Sequence, residues 1–233
     1  MKICLAMPNT GQATIGAGRS FWRASDKHDI AVAAANTCTA MLTFNSLWCW
    51  ALQTEPDYFA MLHSDIEVGG EWWLDTLIDE MENNELDILS VVVPIKDHDG
   101  LTSTAYELDD KWNPCRLTMK EVHRLPETFT DERLLINTGC WVCKFDKAWA
   151  EQVTFTINDR IVCDDGKYTP QVEPEDWHFS RQARSLGLKL GATRKLYVVH
   201  KGSYDYPNDH PWGLLDFDER NTDKSLVPDE IPA

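Results

Sequence analysis

The stretch YFAMLHSDIE, residues 58–67, passes from a continuous apolar run into a cluster of polar and ionisable side chains. Five consecutive apolar residues are typical of a strand that is buried on both faces of a sheet. His63, Ser64 and Asp65 follow this run directly. Because ligands of open α/β sheets bind beyond the carboxyl ends of the strands, the stretch predicts a central strand with a ligand site at its end.

The segments on either side of this stretch alternate between strand and helix patterns. Apolar runs predict strands at 2–7, 30–34, 86–94 and 134–145 and a late strand that ends at His200. Apolar residues at helical spacing predict helices over 44–52, 73–81 and 175–186, whereas Gly11–Gly18 is expected to be a loop. This alternation favours an α/β fold, a single Rossmann-like domain with a mostly parallel central sheet and helices on both faces.

The charge of the chain excludes general adhesion to polyanions. Lys and Arg number 22 and Asp and Glu number 38, so the formal net charge is −16, which opposes binding to nucleic acid or anionic membranes unless positive charge is clustered. One cluster of basic residues occurs, at Lys111, Arg116, Lys120 and Arg124. It is either a polyanion-binding segment or a solvated basic face, and the acidic remainder of the chain suits metal binding better.

Composition along the chain predicts its organisation and compartment. Residues 1–204 are expected to form the domain, and residues 205–233 an acidic C-terminal extension that is partly packed and partly mobile. Neither a secretory leader nor an apolar run near 20 residues is apparent, so we expect a cytoplasmic protein. Cys140 and Cys143 form a CxxC, but in a strand an offset of three places the two sulfurs on opposite faces, which disfavours a zinc site.

Polar residues follow three of the predicted strands. Pro8, Asn9 and Thr10 come after the first strand, Asp65 after the third, and His200 at the end of a late one. Carboxylate and imidazole groups suit a divalent ion such as Mg²⁺ or Mn²⁺. The alternatives are structural: Asp65 as a cap or turn residue and Asn9 as a turn residue.

Five motifs together resemble one enzyme family. They are MLHSDIEV (61–68), SVVVP (90–94), NTGCWVCKFDKAW (137–149), EPEDWHFSRQARSLGLKLG (173–191) and YVVHKG (197–202). In order and spacing they resemble the nucleotide-sugar glycosyltransferases of GT-A fold, especially family 2-like members. The resemblance implies an enzyme that binds a nucleotide diphosphate sugar, a UDP-sugar in our interpretation, through Mn²⁺ or Mg²⁺.

The resemblance also implies metal ligands. The family's Asp-x-Asp motif is similar to His63-Ser64-Asp65 if its last residue is aligned, and to Asp65-Ile66-Glu67 in the other register. The first register makes Asp65 the metal ligand and puts His63 where an aspartate is usual, with Glu67 compensating for the missing charge. His200 matches a family histidine that reaches the metal and the diphosphate.

Further site residues come from the same resemblance. Asp176 is expected to be the general base beside Glu175, which makes the enzyme inverting; alternatively both acids merely favour the helix dipole. Retaining members share the fold, so the stereochemical outcome stays open. The donor-binding residues that the resemblance implies are Pro8, Asn9, Thr10, Asn45, His63, Ser64, Asn137 and Gly139.

Several acceptors and functions remain open at this stage. The compact chain resembles bacteriophage enzymes, associated with TET-type oxygenases, that glycosylate hydroxymethylpyrimidines in DNA, which would place it in a host cytoplasm. A carbohydrate or lipid-linked acceptor is the alternative, as is a noncatalytic nucleotide-sugar binder or a nucleotidyltransferase. A positively charged cleft would favour DNA, and an acidic or aromatic cleft would favour a sugar.

Overall fold

The structure is a computed structural model in which residues 1–216 are described. The strands are β1 (Lys2–Pro8), β2 (Asp29–Ala35), β3 (Tyr58–Leu62), β4 (Ile66–Val68), β5 (Ile88–Val91), β6 (Leu101–Tyr106), β7 (Cys115–Thr118), β8 (Thr128–Phe129), β9 (Leu134–Leu135), β10 (Cys140–Lys144), β11 (Asn158–Asp164), β12 (Lys167–Glu173), β13 (Leu190–Thr193), β14 (Val198–Lys201) and β15 (Asp205–Pro207). The helices are α1 (Ile15–Trp22), α2 (Ala40–Thr54), α3 (Trp73–Asn83), α4 (Met119–Val122), α5 (Lys147–Ala150) and α6 (Glu175–Ser185).

The core of the described chain is a seven-stranded sheet in the order β2-β1-β3-β10-β5-β13-β8. Strand β1 pairs in parallel with β2 and β3, and β13 pairs in parallel with β5. Strand β10 is antiparallel to both β3 and β5, and β8 is antiparallel to β13. Five strands therefore share one direction, which confirms the predicted α/β fold with a mostly parallel sheet.

Helices cover both faces of this sheet. On one face, Trp48 of α2 and Phe179 of α6 pack with Trp141 of β10, and on the other face Trp73 and Leu77 belong to α3. The two cysteines of the CxxC are fully buried in β10 and belong to different faces, as their spacing predicts. In the part of the chain that the structure describes, no helix has both the length and the apolar composition needed to cross a bilayer.

Helix α1 replaces part of the predicted loop Gly11–Gly18. The Thr14 hydroxyl caps the helix by accepting a hydrogen bond from the Ala17 amide at 3.0 Å. Gly16 lies in its first turn because the carboxylate of Glu67 occupies the space that a Cβ would need. The loop prediction was wrong for the residues from Ile15 onward because Gly16 serves packing inside a helix, whereas Gly11, at φ +95°, lies in the turn before it.

Two predicted strands are shorter or divided. The segment 134–145 forms β9 and β10, which belong to different sheets, and 86–94 contributes only the four residues of β5. The predicted late strand is β14, which lies with β4 and β15 in a small separate sheet. Apolar runs indicate burial, but they carry no information on where a buried segment changes sheet.

A hairpin and the start of the C-terminal extension lie outside the main sheet. Strands β11 and β12 pair as an exposed antiparallel hairpin that leads through Pro174 into α6, and the sequence analysis did not predict it. The first part of the expected acidic extension packs on the domain, because β15 pairs with β14 and the Leu214 amide donates to the His98 carbonyl at 3.1 Å. The rest of the predicted extension, residues 217–233, including the part expected to be mobile, lies outside the described residues.

Candidate functional site

A cavity of about 450 Å³ opens at the carboxyl ends of β1, β2 and β3. Residues 8–10 at the end of β1, 36–40 after β2 and 63–65 after β3 form most of its walls. Thr43 and Phe44 of α2 and Glu175, the first residue of α6, complete them. This is the edge at which ligands of α/β sheets bind. The structure thus brings together seven of the residues predicted for the site, namely Pro8, Asn9, Thr10, His63, Ser64, Asp65 and Glu175.

Side chains that shape the loops line one end of this cavity. The Asn9 amide donates to the Ala35 carbonyl at 3.1 Å, and its Oδ1 accepts from the Gly11 amide at 2.9 Å. Asn9 therefore stabilises its own turn, which is the structural role that the sequence offered as the alternative to ligand binding. Thr39 caps α2 by accepting from the Leu42 amide at 3.2 Å. The sequence analysis missed residues 36–40, although a polar Asn-Thr-Cys-Thr run between a strand and a helix is a usable signal.

Asp65 lies in the turn between β3 and β4 and is partly buried. Its Oδ2 is 2.5 Å from the Lys96 Nζ and 3.4 Å from the His200 Nε2. Burial by itself would raise the pKa of Asp65, but the hydrogen bonds from His200 and Lys96 outweigh it and hold that pKa far below its usual range. Asp65 is therefore a carboxylate at any physiological pH.

The other ring nitrogen of His200 determines what His200 presents to Asp65. Nδ1 lies 2.8 Å from the Pro94 carbonyl oxygen, which only accepts, so Nδ1 carries a proton and donates it. With both nitrogens protonated, the ring donates from Nε2 to the Asp65 carboxylate; with Nε2 deprotonated, it presents a lone pair there instead. The second form leaves two acceptors facing each other, which favours a cation, and one carboxylate with one imidazole is a donor set that fits Mn²⁺ or Mg²⁺.

The protein alone supplies only part of a coordination shell. Within residues 1–216, no group of three or more His, Cys, Asp and Glu side chains is arranged to hold a metal ion. A divalent ion at Asp65 and His200 would therefore take its remaining ligands from water and from a bound molecule. Mg²⁺ usually keeps several waters and binds through one or two carboxylates together with substrate phosphates, so two protein ligands are compatible with it.

His63 forms part of the cavity wall beside Asp65. Its ring packs against Phe44, with 5.2 Å between ring centroids, and its amide donates to the Gly139 carbonyl at 2.8 Å. Burial lowers its pKa to about 4, so the ring is neutral at pH 7. Nε2 is buried and has no hydrogen-bond partner among the described residues. His63 thus offers a neutral ring rather than negative charge beside Asp65.

Glu67, Asn45 and Asn137 are among the predicted residues that lie outside the cavity lining. The Glu67 carboxylate faces the Lys201 Nζ at 3.5 Å and fills the space beside Gly16. Asn45 exchanges hydrogen bonds of 2.8 and 3.0 Å with the Phe155 backbone. Asn137 donates to the Val91 carbonyl and accepts from the Gly139 amide. These contacts brace the walls of the site, and the metal role assigned to Glu67 and the donor-binding roles assigned to Asn45 and Asn137 stay predictions.

Gly139 lies beside His63, and other side chains approach its backbone closely. A Cβ at this position would lie 2.6 Å from the Ile66 Cδ1 and 3.8 Å from the His63 Nδ1. Ile66, which follows the Asp65 turn, therefore approaches Gly139 closely, and the donor-binding role assigned to Gly139 stays a prediction.

The two acids that begin α6 differ in exposure. Glu175 lines the cavity, whereas Asp176 is 8% exposed and its Oδ1 accepts from the Trp177 amide at 2.8 Å. Burial, followed by the charge of Glu175, raises the pKa of Asp176 well above its usual range, although Arg116 opposes the shift. Burial also raises the pKa of Glu175. Only the first acid of the pair faces the cavity.

Ion pairs fix the position of α6. The Arg181 Nε donates to the Glu107 carboxylate at 2.6 Å, and Arg181 also pairs with the buried Glu173. Arg184 pairs with the same Glu107. These paired charges join the helix to the segment after β6, and Arg pairs of this kind are geometrically specific. Sequence reasoning missed Glu107 and Lys96 because their partners are distant in the chain.

No family model matches this chain, and no curated protein matches it. Among solved structures, A197 from STIV resembles it over 91% of this chain and 94% of that chain, with a TM-score of 0.56 and 12% sequence identity. HddC from Yersinia pseudotuberculosis aligns over 85% of this chain and 72% of that one (TM-score 0.35, 12% identity), and its complex with GMP-PN over 84% and 92% (TM-score 0.37, 10% identity). The similarity to A197 shows a shared fold along nearly the whole chain.

Proposed function

We propose that this protein transfers a sugar from a UDP-sugar to an acceptor hydroxyl, with Mn²⁺ or Mg²⁺ held by Asp65 and His200. One observation carries the proposal: a permanently charged carboxylate and an imidazole nitrogen converge within 3.4 Å at the edge of a cavity that also contains Glu175. The family resemblance of the motifs around these residues supports the same interpretation.

The cavity suits the nucleotide part of such a donor. Its volume of about 450 Å³ falls within the range of small-ligand sites, and most of its lining is neutral and polar or apolar. The turn at Asn9 and the loop 36–40 would enclose the base and ribose, while Asp65 lies at the end where a diphosphate would meet the cation. A bound divalent ion supplies positive charge for the departing diphosphate.

The acceptor proton is assigned to Glu175 rather than to Asp176. A general base must lie within hydrogen-bonding reach of the proton it removes, and Glu175 faces the cavity whereas Asp176 is buried behind it. Burial raises the pKa of Glu175, and a carboxylate whose pKa is closer to the working pH is a stronger base. Direct attack by the activated hydroxyl inverts the anomeric centre.

Charge around the cavity favours a neutral acceptor such as a carbohydrate over DNA. The charged residues of the lining are Asp65 and Glu175, both acidic. The basic cluster predicted from the sequence is divided: Arg116 packs over the Trp177 ring, and Lys120 pairs with Asp216 at 2.6 Å. A hydroxymethylpyrimidine in phage DNA would bring phosphates to this edge, where the lysines Lys96 and Lys201 are already paired with Asp65 and Glu67.

The donor reaction tests this proposal. Purified protein is incubated with UDP-glucose or UDP-GlcNAc, with and without Mn²⁺, and UDP release is measured. We expect release that needs Mn²⁺ and is lost in Asp65→Asn. The control is Asp79→Asn, which removes an exposed carboxylate of α3 that pairs with Lys27. Turnover that persists without metal, or that survives Asp65→Asn, would contradict the proposal, and UDP binding without turnover would indicate the noncatalytic binder.

A second measurement identifies the acceptor. Label from the donor sugar is followed into oligosaccharides and, in parallel, into DNA that contains hydroxymethylcytosine. We expect incorporation into a carbohydrate. Incorporation into the DNA alone would establish the phage-type acceptor in its place.

A further inference from the structure

Lys96 places an ammonium group on the carboxylate of the candidate metal site. It lies in the loop after β5, and its Nζ is 2.5 Å from the Asp65 Oδ2. The same oxygen is the one that lies 3.4 Å from the His200 Nε2. A single carboxylate oxygen is therefore shared by the ammonium group and by the imidazole that would be the second ligand of a divalent ion.

The surrounding backbone holds Lys96 in this place. A Cβ at Gly202 would lie 3.0 Å from the Lys96 Cδ and 3.4 Å from its Cγ, so the glycine leaves room for the lysine stem to lie across the β14–β15 turn. The Ile95 amide donates to the Leu101 carbonyl at 2.9 Å, and Pro94 accepts from His200. The loop that carries Lys96 is thus joined to the histidine and to the turn beside it.

The position of Lys96 conflicts with a divalent ion on Asp65. Two cations that share one carboxylate oxygen lie about 4 Å apart or closer, where like charges repel strongly in a partly buried site. The lysine side chain is 35% exposed and ends in a flexible four-carbon stem, so the ammonium is free to swing away without a change of the backbone. The nearest new anion would be the diphosphate of the donor.

We propose that Lys96 is a positioning residue that neutralises Asp65 while the site is empty and moves to the donor diphosphate when a divalent cation binds Asp65. This inference rests on the proposed function. It gives Lys96 two opposite effects: it competes with the metal alone, and it strengthens binding of the phosphates once the metal is present. A salt bridge with a purely structural role has neither effect.

The experiment titrates Mn²⁺ alone, and then inorganic pyrophosphate in the presence of Mn²⁺, into wild type and Lys96→Met by calorimetry. In Lys96→Met we expect Mn²⁺ to bind about threefold to tenfold more tightly, because a competing ion pair of ordinary strength is gone. We expect pyrophosphate to bind about tenfold or more weakly, because a charge-assisted hydrogen bond is lost.

Two further variants serve as controls. Lys201→Met removes the same charge from the same edge, but Lys201 pairs with Glu67 and Asp205 rather than with Asp65. We expect its two affinities to stay within about twofold of wild type. Lys96→Arg keeps the charge and should keep pyrophosphate binding, which separates a charge effect from misfolding of the loop.

The outcomes distinguish this inference from the proposed function. If wild type binds Mn²⁺ and pyrophosphate, Asp65→Asn binds neither, and Lys96→Met behaves like Lys201→Met, then the role of Lys96 is wrong and the proposed site stands. If Mn²⁺ binds less tightly to Lys96→Met, the competition is likewise refuted. If wild type binds neither probe, or Asp65→Asn binds both, the proposed function fails and takes this inference with it.

Discussion

Asp65 and Glu175 both line the cavity, and the pKa values of the two acidic centres to which they belong, Asp65 and the Glu175-Asp176 pair, are shifted in opposite directions. Asp65 is partly exposed, and the cations beside it keep its pKa far below the usual range. Glu175 and Asp176 at the start of α6 have raised pKa values, chiefly because they are buried. The chemical group is the same carboxyl in each case, so the surroundings alone decide which centre stays charged.

The difference suggests a division of labour. A carboxylate that never takes up a proton suits a ligand for a cation, whereas a carboxyl with a raised pKa suits proton transfer. When two carboxyl groups of one site have different surroundings, their pKa values differ, and one can stay charged while the other transfers a proton. Substitutions at one centre at a time should therefore separate cation binding from proton transfer.

Removing the charged centre should have the largest effect. In Asp65→Asn, Mn²⁺ affinity should fall by at least about 100-fold, because a neutral amide replaces the only charged ligand proposed for the ion. UDP binding in the presence of Mn²⁺ should fall with it, and both are measured by calorimetry. Asp79→Asn should bind both ligands like wild type, and equal losses in that control would mean a general charge effect.

Changing the proton-transfer centre should affect rate rather than binding. Glu175→Gln should lower kcat about 10²- to 10⁴-fold, the usual contribution of general base catalysis, while the affinity for UDP changes less than about threefold. The matched variant is Asp176→Asn, which alters the buried neighbour instead. A large loss of kcat in Asp176→Asn together with normal turnover in Glu175→Gln would reassign the base to Asp176, as the sequence analysis expects.

The wall behind the Asp65 centre should be sensitive to one added methyl group. Gly139→Ala would bring a Cβ within 2.6 Å of the Ile66 Cδ1, and overpacking of this kind costs about 1–3 kcal/mol in the free energy of unfolding. Urea denaturation measures the change. The control is Gly18→Ala in α1, where a Cβ would meet nothing within 4 Å; it should stabilise the protein by up to about 1 kcal/mol. Equal effects of the two changes would contradict the close packing behind His63.

The smallest expected effect is the contribution of Asp176 to the pH dependence of the free energy of unfolding. Its pKa is raised from 3.8 in the folded protein, so the folded state holds a proton that the unfolded state has lost. The contribution to stability is present below pH 3.8 and declines as pH rises toward the folded pKa, by at most about 1.4 kcal/mol per pH unit. Asp65, whose pKa is lowered, has the opposite sign: its contribution is lost as pH falls below its ordinary range.

The measurement compares wild type with Asp176→Asn by urea denaturation between pH 4 and pH 8. Asn cannot titrate, so the variant should gain stability relative to wild type as the pH rises. A difference that stays constant over this interval would show that Asp176 titrates near its ordinary value, and the contrast between the two centres would then be lost.

Local patterns predicted the elements that build the cavity. The helix over 44–52 lies within α2, the apolar run Tyr58–Leu62 is β3, and the helix predicted over 175–186 is α6 with one residue fewer. Polar residues at strand ends were sufficient to name Asp65 and His200, which the structure brings within 3.4 Å of each other. These features depend on neighbours in sequence or on the common direction of parallel strands, and both can be inferred from a single chain.

The sequence by itself determined the α/β class, the buried strands and the polar character of their ends, because apolar periodicity and strand termini are local properties. Tertiary packing decided which acid of Glu175-Asp176 faces the cavity, that Glu67 turns away toward Lys201, and that Lys96 reaches Asp65 from 31 residues along the chain. It also decided the opposite pKa shifts. Burial and the approach of distant charges depend on how helices and loops settle against the sheet, and no short segment encodes that arrangement.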